Sequence, residues 1–176
     1  MENLKIGDMQ VALDLKSNML EYAQYFLDNY DKHSHIKYFK FYIISISSFY
    51  ELYFKFKLGL INQSLIWKDP TKFNCEKHVN ADFQSKEAKE LVSYGKNFNW
   101  INDRDETFIN QIITLRNKII HFSICEQDDP SVWRYELIDK DFFKNNKQII
   151  VKLLKSIEKE CLDHLLYGII KKEHLN

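Results

Sequence analysis

Apolar residues recur along the chain at the spacing of α-helices. Residues 12–30 place apolar side chains three and four positions apart, which predicts an amphipathic helix. Residues 36–59 are apolar on most sides and rich in aromatic and β-branched residues, which also favour strands. A strand of that length without an interior turn would far exceed the usual length of about five or six residues. We therefore predict a long, largely buried central helix with Gly59 at its C-cap.

The polar breaks along the remainder of the chain separate further helices. Residues 60–84 carry scattered polar residues and predict an irregular connection. Ser85 is suited to be the N-cap of a short third helix, and Asp103 or Asp105 to begin a fourth. Residues 139–171 have a helical apolar repeat and predict a long final helix. We expect an all-α bundle of about five helices.

Composition supports this fold class and limits how the protein binds anions. A chain of 176 residues suits a single domain spanning residues 1–176, and its 4 glycines and 2 prolines leave little turn chemistry for a multi-stranded fold. Lysine plus arginine and aspartate plus glutamate both number 25, so the net charge is zero. Non-specific attraction to nucleic acid or to an anionic membrane is therefore not expected, and any anion binding must be local.

The cysteines and the apolar segments predict a soluble cytoplasmic protein. Cys75, Cys125 and Cys161 are odd in number and far apart, and no CxxC pair occurs, which favours reduced thiols over disulfides or a zinc site. The N-terminus lacks the basic and apolar regions of a secretory signal. The ten uncharged residues 41–50 form the most apolar segment, and they are too few to span a bilayer.

The fourth predicted helix carries an arginine within its apolar half. On a helical wheel the apolar half comprises Phe108, Ile109, Ile112, Ile113, Leu115, Ile119, Ile120 and Phe122. Arg116 falls between the angles of two of these residues, and an unpaired buried guanidinium is costly. Its counter-ion is either a protein carboxylate, with Glu51 as the candidate, or a phosphate. Asn117 and His121 lie four positions apart on a polar stripe and are neighbours on one face.

Two stretches resemble conserved patterns of the HEPN domain family. The segment "RNKIIH", from Arg116 to His121, resembles the R-x(4–6)-H signature of that family, with Asn117 as the polar residue that commonly follows the arginine. The segment "YELYFKFKL" resembles an E-L-x-x-K-x-x-L stretch of the second HEPN helix, with Glu51 and Lys55 at its charged positions. One HEPN subgroup has a tyrosine two residues after the histidine. Here that residue is Ser123, so the tyrosine-modification chemistry of the subgroup is not implied.

The resemblance implies a dimeric helical bundle in which two such motifs face one another. Many HEPN proteins are metal-independent endoribonucleases acting as toxins or antiviral effectors. By this resemblance the substrate would be RNA, and the partners a second copy of the chain and an antitoxin or regulatory protein. The catalytic residues would be Arg116, Asn117 and His121, supported by Glu51 and Lys55, with no metal or cofactor. A histidine can exchange protons near neutral pH, and an arginine fork matches phosphate oxygens.

The alternative function is not enzymatic: the protein would be a catalytically inactive HEPN-like dimeric scaffold or a nucleotide-binding module. The zero net charge favours it, since ribonucleases that grip long RNA usually display a basic surface. Lysines of the last helix offer either such a surface or an ordinary solvated face: Lys140, Lys144, Lys147, Lys152, Lys155 and Lys159. Metal-ligand residue types also occur at His33 to His35 and at Cys75 to His78. Neither group has a four-ligand spacing, so we expect no metal site.

Overall fold

The protein forms a bundle of α-helices. The computed structural model describes residues 6–32, 36–69, 85–121 and 140–160. Its elements are α1 (Ile6–Asn29), α2 (Ile36–Ile61), the 3₁₀ turn η1 (Gln63–Ile66), α3 (Ala88–Asn97), α4 (Asp103–His121) and α5 (Lys140–Glu160). Within these ranges the β-structure is one isolated antiparallel bridge between Trp67 and Ser85. The predicted all-α bundle of about five helices is confirmed.

Helix α2 lies at the centre of the bundle and contacts α1, η1, α3 and α4. Most of its apolar side chains are buried: Tyr42, Ile43, Ile46, Phe49, Tyr50, Tyr53, Phe54, Phe56 and Leu58. Each fully buried side chain of this size contributes roughly 1.5–3 kcal/mol through removal from water. The strand alternative for this segment is excluded because Ile36–Ile61 form one continuous α-helix, whose aromatic residues are covered by neighbouring helices on several sides.

The prediction that Gly59 forms the C-cap of α2 is wrong. The helix continues to Ile61, and no described glycine has a positive φ. Gly59 instead lies against η1, where a Cβ atom would sit 3.2 Å from Ile66 Cδ1. The chain leaves the helix at Asn62, whose Oδ1 accepts a hydrogen bond from the Ser64 amide at 2.9 Å and caps η1. A glycine at this position serves close packing rather than a left-handed turn.

The prediction that Ser85 is the N-cap of α3 is also wrong. Helix α3 begins at Ala88, and Glu87 precedes it without a side-chain cap. Ser85 forms the bridge with Trp67, and the neighbouring Lys86 amide donates to Ile66 O at 2.8 Å. This pairing joins the two ends of the predicted irregular connection. Residues 70–84 of that connection lie outside the described part of the chain.

A tight turn links α3 to α4 and is closed by backbone hydrogen bonds. The Trp100 amide donates to Gly95 O at 2.9 Å and the Asn99 amide donates to Lys96 O at 3.0 Å, which together make a Schellman motif. Asn99 occupies the left-handed position, with φ of 58°. The turn stacks the Phe98 ring on Trp100, with centroids 5.0 Å apart.

Helix α4 begins at Asp103, as one of the two sequence alternatives predicted. Asn102 is the N-cap: its Oδ1 accepts from the Asp105 amide at 2.8 Å, while Asp105 Oδ2 accepts from the Asn102 amide at 3.3 Å. These reciprocal bonds form a capping box, which fixes the first turn of the helix.

The final helix α5 buries the apolar face that its repeat predicts, through Ile149, Ile150, Leu153, Leu154 and Ile157. Its described portion ends at Glu160, so the predicted continuation through Cys161, Leu165 and Ile169 lies outside the described residues. No helix in the described ranges combines the length and hydropathy needed to cross a membrane.

Candidate functional site

One side of α4 packs against α2 through its isoleucines. Ile109, Ile112 and Ile113 are fully buried, while Leu115 and Ile119 are partly buried against the core. Ile120 is exposed, although the helical wheel places it within the apolar half. The wheel angle gives the direction of a side chain, but burial also requires a neighbouring element at the same height along the axis.

The Arg116 guanidinium is held by two side chains of α2. Its Nη2 donates to Glu51 Oε2 at 3.0 Å and its Nε donates to Ser47 Oγ at 3.2 Å. The Ser47 side chain is buried, whereas those of Arg116 and Glu51 are 25% and 26% exposed. Of the two counter-ions that the sequence left open, the protein carboxylate is present. This ion pair lies at the rim of the packing, where both side chains remain partly exposed to solvent.

The same carboxylate binds a second cation from its own helix. Lys55 Nζ donates to Glu51 Oε1 at 2.6 Å, and the Lys55 side chain is only 13% exposed. Ser47, Glu51 and Lys55 recur every four residues, so they share one face of α2. We call Glu51, Lys55 and Arg116 the charge cluster. It contains two positive charges and one negative charge, which leaves a net charge of +1.

Within the part of the chain that the structure describes, the charge cluster keeps N–H donors of Arg116 available for a ligand. A guanidinium has five N–H groups in a fixed fork, and the contacts to Ser47 and Glu51 engage two of them. A rigid fork that is already oriented loses less freedom when it binds a phosphate oxygen. The arrangement therefore combines fixed geometry, partial exposure and surplus positive charge, which are the requirements of a local anion site.

The other two predicted catalytic residues follow Arg116 on α4. Asn117 is partly buried, and His121 is the last residue of the helix. Their spacing of four residues within one continuous helix places their Cα atoms about one turn apart. The His121 side chain lies outside the described part of the structure. The structure thus brings Arg116, Glu51 and Lys55 together, and Asn117 follows Arg116 directly on α4, with its side chain about 100° further around the helix.

Sequence reasoning missed Ser47. Its signal is the four-residue spacing from Glu51 and Lys55 on a largely apolar helix, which marks a short polar stripe. Among the described residues, no group of three or more histidine, cysteine, aspartate or glutamate side chains is arranged to hold a metal ion. The segments His33 to His35 and Cys75 to His78 lie outside the described residues.

Comparison of the chain with family models, with curated proteins and with solved structures found no match. The fold places the protein in the class of all-α helical bundles. A fold class does not determine an activity, so the function must be argued from the site itself.

Proposed function

We propose that this protein is a metal-independent endoribonuclease of the HEPN type. The observation that carries the proposal is the surplus positive charge of the charge cluster, in which Glu51 offsets only one of its two cationic partners, Arg116 and Lys55. A phosphodiester group carries one negative charge and would balance the cluster. The adjacent Asn117 and the R-x(4)-H spacing to His121 supply the remaining groups.

The chemistry requires no metal because the RNA provides its own nucleophile. The 2′-oxygen attacks the neighbouring phosphorus, its proton passes to a base, and an acid protonates the departing 5′-oxygen. The products are a 2′,3′-cyclic phosphate and a 5′-hydroxyl end. In this proposal His121 transfers the protons, Arg116 stabilises the charge that develops on the phosphorane, and Asn117 orients the imidazole or the RNA.

A two-fold dimer would supply both an acid and a base. Each subunit contributes one His121, and a neutral imidazole and a protonated imidazole can coexist near neutral pH. Apolar side chains exposed on α2 and α4, Phe41 and Ile120, support a contact between two copies. Isologous contact of this kind is the commonest arrangement of soluble homo-oligomers.

The resemblance to HEPN proteins extends the proposal to a biological setting. We place the activity in a cytoplasmic toxin–antitoxin or antiphage defence system, in which an antitoxin or regulatory protein restrains the nuclease. This part of the proposal rests on the "RNKIIH" and "YELYFKFKL" segments.

The test is cleavage of single-stranded RNA by the purified full-length protein in EDTA. His121→Ala should abolish cleavage while the circular dichroism spectrum and the unfolding midpoint stay unchanged. Lys118→Ala is the matched control, because Lys118 is exposed on the same helix outside the proposed site. Undiminished cleavage by His121→Ala would end the assignment.

A second candidate is an inactive dimeric scaffold or nucleotide-binding module. The pairing of Arg116 with Glu51 favours it, because an internal carboxylate gives the guanidinium a structural role. Titration of RNA binding across a range of salt concentrations separates the two candidates. Binding that weakens as salt rises supports the nuclease, since phosphate contacts release counter-ions, whereas the absence of salt-dependent binding supports the scaffold.

A further inference from the structure

A polar groove of about 220 Å³ lies between the start of α4 and the middle of α5, away from the charge cluster. Its lining combines two cations, three primary amides and an aromatic ring: Arg104, Lys152, Asn102, Asn145, Gln148 and Phe108. Polar groups that converge beside an aromatic ring can fix the orientation of a bound ligand.

The positively charged side chains that line the groove outnumber the negatively charged ones. Lys152 forms a salt bridge with the buried Asp105, and Asp105 also caps the first turn of α4. Arg104 Nη2 instead donates to a neutral acceptor, Asn145 Oδ1, at 3.1 Å. Arg104 and Lys152 therefore contribute two positive charges against the single negative charge of Asp105. The lining keeps a net charge of +1, which one phosphodiester group would balance.

The uncharged part of the lining suits a nucleobase. The partly buried Phe108 ring lies beneath Arg104, whose Cζ is 5.9 Å from the ring centroid. Aromatic rings and guanidinium planes are the surfaces on which unpaired RNA bases stack. The exposed Gln148 amide can both donate and accept hydrogen bonds, as base edges require.

We infer that this groove binds one nucleotide of a single-stranded RNA, with the phosphodiester on Arg104 and Lys152 and the base against Phe108. The inference rests on the proposed ribonuclease function and names a second contact with the same substrate. Arg104 and Arg116 are twelve residues apart on α4, or about 18 Å along its axis. Stacked nucleotides advance about 3.4 Å each, so about five of them cover this axial distance, and the strand must also pass about 120° around the helix to reach both sites.

The experiment measures binding separately from cleavage. The probe is a fluorescein-labelled 2′-O-methyl oligoribonucleotide of about twelve nucleotides, within the range of single-strand site sizes. It cannot be cut by 2′-oxygen attack. Fluorescence anisotropy across a range of salt concentrations compares the wild type with R104Q/K152Q. The matched control K144Q/K155Q also removes two positive charges, from exposed positions of α5 that do not line the groove.

We expect R104Q/K152Q to bind the probe about tenfold more weakly than the wild type. The slope of the logarithm of the binding constant against the logarithm of salt concentration should also be smaller in magnitude by about 0.7, because one phosphate contact is lost. The control variant should stay within twofold of the wild type. Equal affinities of the two double variants, or no binding of the probe by the wild type, would overturn the inference. If R104Q/K152Q fails to fold, the single variant Arg104→Gln carries the test, because Arg104 is exposed.

Different experimental results would contradict the ribonuclease function and the nucleotide groove. Loss of probe binding in R104Q/K152Q, together with no RNA cleavage by the wild type in EDTA, would retain the nucleotide groove and reject the nuclease. Cleavage that depends on His121 but is indifferent to Arg104 and Lys152 would retain the nuclease and reject the groove.

Discussion

The Arg116 guanidinium on α4 donates to the Glu51 carboxylate on α2 at 3.0 Å, across 65 positions of sequence. The same carboxylate also binds Lys55, so Glu51 both orients Arg116 and cancels part of its charge. These two effects act oppositely on anion binding. Orientation strengthens it, and charge cancellation weakens it.

Glu51→Gln separates orientation from charge. The amide keeps an oxygen that can accept from Arg116, while the net charge of the cluster rises from +1 to +2. We expect affinity for the 2′-O-methyl oligonucleotide to rise severalfold with a steeper salt dependence. The free energy of unfolding should fall by about 1 kcal/mol, as for a partly exposed ion pair. Urea denaturation and fluorescence anisotropy measure the two quantities.

Glu90→Gln is the matched control, since Glu90 on α3 also pairs with a lysine four residues away, Lys86 in the segment before the helix. It should leave oligonucleotide affinity unchanged. Weaker binding by Glu51→Gln than by this control would show that orientation outweighs charge at Arg116.

Tyr50→Phe tests the buried hydrogen bond between α2 and α5. The Tyr50 hydroxyl donates to Asn146 Oδ1 at 2.9 Å, and both side chains are fully buried. Removing the hydroxyl leaves that oxygen without its donor, so we expect a loss of about 1–2 kcal/mol in unfolding free energy. Urea denaturation at pH 8 measures the loss. Tyr22→Phe, at an exposed position, should cost almost nothing.

The stability of the protein should also fall at alkaline pH because of Tyr50. Burial raises the pKa of the Tyr50 hydroxyl well above its ordinary value, and the negative charge of Asp105 adds a smaller effect in the same direction. Above about pH 10 the unfolded chain loses the proton of this hydroxyl while the native protein keeps it. The contribution of Tyr50 to the free energy of unfolding therefore falls by up to about 1.4 kcal/mol per pH unit. Tyr50→Phe removes this contribution. Its stability deficit should therefore shrink between pH 9 and about pH 11; a constant deficit would contradict the assignment.

Gly95→Ala tests the contact of α3 with α2. A Cβ atom at Gly95 would overlap the fully buried Phe54 ring, so the ring or the helix must move. We expect a loss of about 1–3 kcal/mol in unfolding free energy, reduced by the better helix propensity of alanine. Thermal unfolding followed by circular dichroism measures it. Gly59→Ala is the control, because its added methyl meets only the end of the Ile66 side chain; equal effects of the two substitutions would contradict the packing argument.

Phe41→Glu tests the proposed dimer. Phe41 is 55% exposed on α2, the largest exposure among the described large apolar side chains. If the wild type sediments as a dimer through this surface, a buried glutamate at the interface should shift it to a monomer at micromolar concentration. Leu60→Glu, at a site 46% exposed near the other end of α2, should not change the sedimentation coefficient. A monomeric wild type would remove the two-histidine mechanism.

Helix formation in this chain was predictable because the repeat of apolar residues is local. The central helix α2 could be predicted because its segment is too long for a strand and has few turn residues. The need of Arg116 for a counter-ion could be predicted because the helical wheel places it among apolar residues. The role of Gly59 was misjudged, and the exposure of Ile120 could not be read from its wheel angle, for related reasons. A glycine serves either a left-handed turn or close packing, and an apolar residue on the core side of a helix is buried only where a neighbour reaches it.

Sequence alone determined that this protein is a bundle of helices and that one arginine lies where water cannot fully hydrate it. The tertiary structure decided which anion meets that arginine, that Ser47 also holds it, and that Lys55 shares its carboxylate. Periodicity along one helix fixes the direction of each side chain. The pairing of α2 with α4 depends on how distant segments pack, and it sets how much charge remains for a ligand.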